Sequence, residues 1–300
     1  MSVESLPIIK KVSNIVRFGI RNWLRAVLRE PKFEFAHELS VVAIAKNEGA
    51  YFKEWIEFHL LVGVSKFYIY DNESNDDTRQ VLQPYIDSGI VEYKYFPGEK
   101  MQIPAVNDAV KHYKYETKWM THIDLDEFIV PVETQTVTEF LRKLPVNTRE
   151  LIITWVMYGS DGHKTKPDGL VIENYMHRAE KLYGCKAIIN PRFLYKMSNP
   201  HILNVAGNMV DENGSKCGFI DHSKNPLPCN KIRINHYHCK SWEEYLVKRK
   251  KGDVYFGKTH DNYNEKSFKK NDRNEVYDPI MKNFISAVKQ KCLDDKCKVV

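Results

Sequence analysis

The chain has 300 residues, of which 43% are hydrophobic and 12% aromatic, a composition that excludes a disordered protein. Its formal net charge is +6, but seven basic and only three acidic residues fall within residues 1–36. The remainder of the chain is therefore nearly balanced in charge, and we expect no nucleic acid among its partners.

The cysteines and the apolar runs indicate where the protein works. Six cysteines form no Cys-x-x-Cys pair and no zinc-type spacing, and no secretory signal precedes them. This pattern predicts mostly reduced thiols and a cytoplasmic protein. No apolar run approaches the roughly 20 residues that a membrane span requires, so any work at a membrane would be done from its surface.

Residues 8–29 predict an amphipathic helix. Apolar residues, Trp23 among them, recur at helical spacing, and Arg17, Arg21 and Arg25 line the opposite face. Pro31 ends the helix because proline cannot continue it. Such a basic helix is typical of a peripheral anchor, here on the inner face of the cytoplasmic membrane. The alternative is a helix that packs on the body of the protein with its basic face in water.

Strand and helix patterns alternate four times through the first half of the chain. The runs 39–45, 67–70, 91–96 and 120–123 predict strands, and residues with helical spacing separate them. This order favours an α/β fold with a mostly parallel, Rossmann-like sheet. After residue 131 the alternation weakens, although 151–156, 186–195 and 231–238 still predict strands.

An acidic cluster follows the fourth predicted strand. Asp124, Asp126 and Glu127 come at the end of an apolar run, where ligands of open α/β sheets bind. Because Asp124 and Asp126 are two residues apart, their carboxylates could share a divalent cation such as Mg²⁺ or Mn²⁺. The alternative is an acidic turn that is simply solvated.

Polar residues also follow the first two predicted strands, at 46–48 and 71–74. If the strands are parallel neighbours, these residues and the acidic cluster lie along one edge of the sheet. The segment 71–74 could then bind a base and ribose, and the acidic cluster could bind a diphosphate through metal. The sequence has neither a dinucleotide-binding glycine motif nor a P-loop, so a nucleotide-sugar is the favoured ligand.

Eight segments, in order, resemble glycosyltransferase family 92. They are 42–48, 54–59, 70–74, Gln102 with 107–108, 124–128, 158–163, 235–237 and 240–245. The resemblance implies a GT-A fold, a nucleotide-sugar donor such as UDP-galactose, Mn²⁺ or Mg²⁺, and inversion at the anomeric carbon. Animal members carry a signal-anchor span that this chain lacks, which suggests a bacterial-type member that acts on surface glycans.

The resemblance also implies metal ligands. Asp124 and Asp126 match the Asp-x-Asp pair that meets the donor diphosphate through metal. His236 stands where GT-A enzymes often supply a third metal ligand, and His238 could take that place if the strand register differs. The alternative for His236 is a core histidine bonded to the main chain.

Two further groups of site residues follow from the same match. The residues expected to bind the donor are Asn47, Glu48, Asp71, Asn72, Gln102, Asp108 and Lys240. An inverting transfer needs a carboxylate base, and Asp161, in a glycine-flanked turn, and Glu127 are the candidates, beside Glu173. Asp161 could instead bond its own turn, and Glu127 could instead lie behind the metal ligands.

Together these features predict a basic helical arm over residues 1–36 and a GT-A domain over 37–300. Within the domain we expect a nucleotide-binding half at 37–131, an acceptor half at 132–252, and a C-terminal helix and tail at 253–300. The predicted function is metal-dependent, inverting transfer of a hexose from a UDP-sugar to a glycan or lipid-linked acceptor, in the synthesis of surface polysaccharide or lipopolysaccharide. The alternatives are a sugar nucleotidyltransferase and a non-catalytic adaptor at the membrane.

Overall fold

The computed structural model describes residues 34–199, 202–217, 227–251 and 264–294, together with Ile20 and Leu24. Apart from those two positions, the predicted amphipathic helix over residues 8–29 lies outside the described residues. Within the described part, no helix is both long enough and apolar enough to cross a membrane.

Thirteen strands are formed by the described residues. They are β1 (His37–Ala45), β2 (Lys66–Asp71), β3 (Val91–Tyr95), β4 (Thr117–His122), β5 (Glu127–Pro131), β6 (Thr148–Met157), β7 (His177–Arg178), β8 (Cys185–Ile189), β9 (Leu194–Asn199), β10 (Ile202–Val205), β11 (Asn208–Val210), β12 (Ile232–His236) and β13 (Val276–Tyr277).

The same residues form eight α-helices and one short 3₁₀ helix. The α-helices are α1 (Gly49–Leu61), α2 (Thr78–Asp87), α3 (Gln102–Tyr113), α4 (Val137–Arg142), α5 (Val171–Asn174), α6 (Trp242–Lys251), α7 (Glu265–Asn271) and α8 (Lys282–Asp294). The 3₁₀ helix, Pro191–Phe193, divides the single strand predicted over 186–195. The cause is local, because Pro191 opens the 3₁₀ turn and the Asn190 side chain accepts a hydrogen bond from the Arg192 amide.

The main sheet has the strand order β3-β2-β1-β4-β8-β6-β12-β5, and β11 pairs with β6. Strands β1 to β4 are parallel, and β8 runs against both β4 and β6. Strand β12 is parallel to β6 and antiparallel to β5. The mixed, mostly parallel α/β class predicted from the sequence is therefore confirmed, and β1, β2, β4, β6 and β12 all end at the same edge.

Both faces of the sheet are buried. In β1, Val41 and Ala43 pack into one apolar cluster with Trp55 of α1, whereas Val42 and Ile44 pack into the other, which includes residues of α3. Burial on both faces explains why the strand reads as a continuous apolar run rather than an alternating one.

Helix α1 holds β5, the strand that follows the acidic pair. The indole Nε1 of Trp55 donates to the carbonyl oxygen of Glu127 at 2.9 Å, and the amide of Ile129 donates to His59 Nε2 at 3.2 Å. His59 Nδ1 in turn donates to the Trp55 carbonyl oxygen at 2.8 Å. The His59 ring is fully buried and uses both nitrogens, so its neutral form, protonated at Nδ1, is the one that fits.

His59 makes the stability of the fold depend on pH. Burial lowers its pKa to about 3, whereas an unfolded histidine titrates near 6.5. Below pH 6.5 the unfolded chain binds a proton at His59 that the folded chain does not bind. The free energy of unfolding therefore falls as the pH falls toward 3. For His59→Gln, which keeps one donor and one acceptor but does not titrate, the stability deficit relative to wild type should shrink by about 1.4 kcal/mol per pH unit below 6.5.

Urea unfolding of both proteins at pH 7.5, 6.0 and 5.0 measures this difference. Other histidines titrate equally in both proteins, so their contributions cancel. Parallel stability curves for the two proteins would show that His59 is not held neutral.

Candidate active site

The polar residues predicted to meet at the sheet edge follow the ends of strands that run in one direction. Asn47 follows β1, Asp71 ends β2, Asp124 follows β4, and His236 ends β12. Since β1, β2, β4 and β12 run the same way, their carboxyl ends lie along one edge. The edge is therefore built from strands that are far apart in the sequence.

Three side chains at this edge could hold a metal ion. One ligand atom each from Asp126, His236 and His238 lie within 4.8 Å of one another. His236 Nε2 is 3.5 Å from Asp126 Oδ1. Asp126 and His236 are buried, and His238 is partly buried. The group contains both of the histidines that the sequence left as alternatives.

Strand pairing brings these residues together although about 110 positions separate them. In the antiparallel β5–β12 ladder, His236 lies opposite Glu127. The amide of Tyr237 donates to the Asp126 carbonyl oxygen at 2.8 Å, which extends the ladder by one bond. The register of these two strands thus fixes which histidines face the acidic turn.

The surrounding charges favour the metal-binding protonation states. Burial would raise the pKa of Asp126, but Lys248 and His236 hold it well below its usual value. Burial lowers the pKa of His238 to about 3, helped by the charge of Lys248. At neutral pH the group therefore presents a carboxylate and a neutral imidazole, the forms that bind metal.

A lysine shares this site. The ammonium of Lys248, on α6, donates to Asp126 Oδ2 and, at 3.0 Å, to the carbonyl oxygen of His238. The helix that carries it begins with the predicted capping box, in which Ser241 and Glu244 exchange side-chain to main-chain hydrogen bonds. Lys248 thus places a positive charge directly on the carboxylate of the candidate metal group.

Asp124 has different partners. Its Oδ1 accepts a hydrogen bond from Gln102 Nε2 at 3.0 Å, and its Oδ2 accepts one from Lys186 Nζ at 3.1 Å. Its side chain is 37% exposed, so the carboxylate remains partly accessible to solvent. Burial would raise its pKa, but Lys186 and His122 keep it below the usual value. Asp124 is outside the three-residue metal group, and its assignment as a ligand stays a prediction.

Lys186 was not identified from the sequence. It is 1% exposed and its ammonium lies between Asp124 Oδ2 and Glu127 Oε2, which is 3.3 Å away. Its charge offsets part of the cost of burying two carboxylates. A lysine inside the apolar run Cys185–Ile189 was the only local signal, and the run gives no indication of which carboxylates it meets.

Glu127, predicted as a catalytic residue, is fully buried. Its Oε2 accepts a hydrogen bond from the Asp124 amide at 3.0 Å. Burial raises its pKa to about 7, although Lys186 opposes that shift. In this position the carboxylate is not accessible to an acceptor sugar.

Asp161, the other predicted catalytic residue, connects its turn to the segment that includes β7. Its carboxylate accepts hydrogen bonds from the amides of Met176 and His177, at 2.8 and 3.0 Å, and lies 3.1 Å from His177 Nδ1. Its own φ is +50°, a left-handed conformation that aspartate tolerates better than most residues. A structural use of this carboxylate is thus evident, and its catalytic role stays a prediction.

The predicted donor-binding residues near β1 and β2 shape two loops. The Asn47 amide donates to Ser74 Oγ, and Asn47 Oδ1 accepts from the Asn75 amide. Asp71 accepts from the Ser74 amide, and Asn72 Nδ2 donates to carbonyl oxygens of the loop after β3. These bonds connect the loops that follow β1, β2 and β3 into one wall at the carboxyl edge of the sheet.

Two other predicted residues have different contacts. Asp108, on α3, accepts from Tyr70 Oη at 2.8 Å and from Lys94 Nζ at 2.6 Å, which ties the helix to the sheet. Lys240 is 2% exposed and its Nζ lies 3.3 Å from the centroid of the Tyr51 ring. Burial lowers the pKa of Lys240 to about 8, although the charge of Glu48 opposes this.

Comparison with known proteins identifies the family. The sequence model of glycosyltransferase family 92 matches residues 42–284. The chain belongs to glycosyltransferase family 92. This membership confirms the resemblance seen in the sequence and, at the level of the family, the expectation of a glycosyltransferase. The GT-A class that the resemblance implied agrees with the observed sheet and with the acidic pair at its carboxyl edge.

Curated relatives of the chain are plant proteins. A glycosyltransferase family 92 protein of Oryza sativa subsp. japonica is 27% identical over 248 residues, which are 82% of this chain and 39% of that protein. Galactan beta-1,4-galactosyltransferase GALS2 of Arabidopsis thaliana is 28% identical over 142 residues, 44% of this chain and 27% of its own. The chain thus spans well under half the length of these relatives. Among solved structures, TarS of S. aureus aligns over 88% of this chain and 75% of its own, with 12% identity and a TM-score of 0.39.

The position of Lys248 leads to a prediction about metal affinity. An ammonium on Asp126 repels and competes with a divalent cation at the same carboxylate, and like charges this close cost several kcal/mol at a protein surface. We expect Lys248→Met to bind Mn²⁺ at least about tenfold more tightly than wild type in the absence of donor. Electron paramagnetic resonance of free Mn²⁺ measures this affinity.

The control is Lys269→Met, which removes an exposed lysine of α7 whose ion-pair partner within the described part of the chain is its own helix neighbour Glu265. This variant should bind Mn²⁺ as wild type does. Unchanged or weaker binding by Lys248→Met would mean that Lys248 does not compete for the site.

Proposed function

We propose that the chain is a metal-dependent, inverting glycosyltransferase that moves a hexose from a UDP-sugar to a glycan or lipid-linked acceptor. The observation that carries the proposal is the Asp126, His236 and His238 group, placed at the carboxyl edge of a parallel sheet in a family 92 chain. Galactose is the favoured sugar because two relatives are named galactan beta-1,4-galactosyltransferases.

The residues present fit a metal ion. One carboxylate and two imidazoles suit a first-row transition ion such as Mn²⁺ better than Mg²⁺, which prefers oxygen ligands. His236 Nδ1 is buried without a hydrogen-bond partner in the described residues, so the ring is not held as an ordinary core histidine. When bound, the ion would supply positive charge that offsets the charge developing on the leaving diphosphate.

The protein's own groups would bind and orient the donor. The wall formed by the loops after β1, β2 and β3 would hold the base and ribose through Asn47 and Asp71. Lys240, which has no carboxylate within ion-pair distance in the described part of the chain, and Lys248 would donate to phosphate oxygens. Lys248 can do so only after it releases Asp126, so donor and metal binding would be coupled.

An inverting transfer also needs a carboxylate base that removes the proton of the acceptor hydroxyl. Asp161 and Glu127 remain the predicted bases, and Asp161 is the better placed of the two because it is partly exposed whereas Glu127 is fully buried. The membrane role of residues 8–29, the inner face of the cytoplasmic membrane as the site of action, and surface polysaccharide as the product belong to the same proposal, supported by the basic charge of that segment.

A thermal-shift panel of UDP-, GDP- and CMP-sugars, each with and without Mn²⁺, tests the donor and the metal together. A ligand at about 100 times its Kd stabilises the folded state by about 2.7 kcal/mol, which raises the Tm of a domain this large by roughly 5–10 °C. We expect that rise for UDP-galactose with Mn²⁺, and little change without the metal. Asp126→Asn should abolish it.

Asp87→Asn is the matched control, since Asp87 is exposed and, among the residues that the structure describes, its carboxylate accepts a hydrogen bond from Gln83 of its own helix. This variant should respond as wild type does. Stabilisation by UTP or CTP with release of pyrophosphate would favour a nucleotidyltransferase, and a full response in Asp126→Asn would contradict the proposed site.

A further inference from the structure

The carboxylate of Glu127 makes different contacts through its two oxygens. Oε2 faces two donors, the Asp124 amide at 3.0 Å and the Lys186 ammonium at 3.3 Å. Oε1 faces His236 Nδ1 at 3.9 Å. Neither Oε1 nor Nδ1 has a hydrogen-bond partner among the residues that the structure describes, and both atoms are buried.

An unpaired buried donor and acceptor that face each other are costly, and a hydrogen bond between them would remove the cost of both. A shift of about 1 Å would bring these two atoms to ordinary hydrogen-bond distance. The opposite side of the same ring carries Nε2, 3.5 Å from Asp126 Oδ1. If Nδ1 donates its proton to Glu127, Nε2 carries none. The Glu127 contact therefore determines whether the nitrogen that faces the candidate metal group is protonated.

We propose that Glu127 is a positioning residue that accepts the Nδ1 proton of His236 and so leaves the Nε2 lone pair for the metal. This inference deepens the proposed function and depends on its metal site. It gives Glu127 a role other than the catalytic one predicted from the sequence. Carboxylates that hold a metal-bound histidine through its second nitrogen typically set both its tautomer and its orientation.

Lys186 completes the arrangement. Its ammonium and the Asp124 amide both donate toward Oε2, so that side of the Glu127 side chain must present an acceptor. The other oxygen is then the one left for His236. Strand β8 thereby contributes to the metal site through Glu127 without contributing a ligand.

Glu127→Gln tests the inference because an amide has only one acceptor. Its oxygen must face Lys186 and the Asp124 amide, so its NH₂ must face His236 Nδ1. The NH₂ then donates to Nδ1 and places the histidine proton on Nε2, where it blocks the metal. We expect the Mn²⁺ affinity, measured by electron paramagnetic resonance, to fall roughly 10- to 100-fold, with the melting temperature of the metal-free protein little changed.

The matched control is Glu57→Gln. Glu57, on α1, is also buried, but its carboxylate accepts a hydrogen bond from Tyr85 Oη of α2 at 2.7 Å. Its replacement should leave Mn²⁺ affinity unchanged. Equal affinity in Glu127→Gln and wild type would overturn the inference and leave the metal site intact.

A second measurement needs no variant at position 127. Long-range ¹H–¹⁵N spectra of the wild type with diamagnetic Zn²⁺ in place of Mn²⁺ report which nitrogen of His236 carries the proton. Protonated Nδ1 with metal-bound Nε2 is the expected result, and the reverse would overturn the inference. A wild type that binds neither ion would overturn it together with the metal part of the proposed function.

Discussion

The antiparallel pairing of β5 with β12 is the contact on which the site depends. It joins the segment that carries Asp126 and Glu127 to the segment that carries His236 and His238. Because side chains alternate along a strand, a slip of one residue would turn His236 away from the acidic turn. Helix α1 supports this register from the side, since Trp55 and His59 bond the main chain of β5 at Glu127 and Ile129.

Buried charge is the second feature of the edge. Isolated carboxylates cannot be buried without large cost, and here each has an ammonium beside it. Lys186 lies between Asp124 and Glu127, and Lys248 lies on Asp126. The two lysines lie on different kinds of element. Lys186 lies on strand β8 within the sheet, whereas Lys248 lies on helix α6. Under the proposed function it is Lys248 that would exchange Asp126 for a donor phosphate.

Much of the fold could be predicted from the sequence because its signals are local. The apolar run of β1, the turn after each early strand and the Asp-x-Asp segment all report on their immediate neighbours, and the parallel sheet followed from their alternation. What local patterns do not contain is the pairing of distant strands. Insertion of β8 between β4 and β6 brings Lys186 to the site, and the β5–β12 register selects both histidines. The turn at Asp161 is a further case, because its carboxylate accepts hydrogen bonds from the main chain of Met176 and His177, a pairing that the local sequence does not indicate.

The most direct test of the account is a crystal structure of the protein with Mn²⁺, with anomalous diffraction data collected near the manganese absorption edge. We expect one strong anomalous peak within coordination distance of Asp126, His236 and His238, with the Lys248 ammonium displaced from Asp126. An anomalous map without a peak at that position, at Mn²⁺ concentrations that saturate binding in solution, would contradict it.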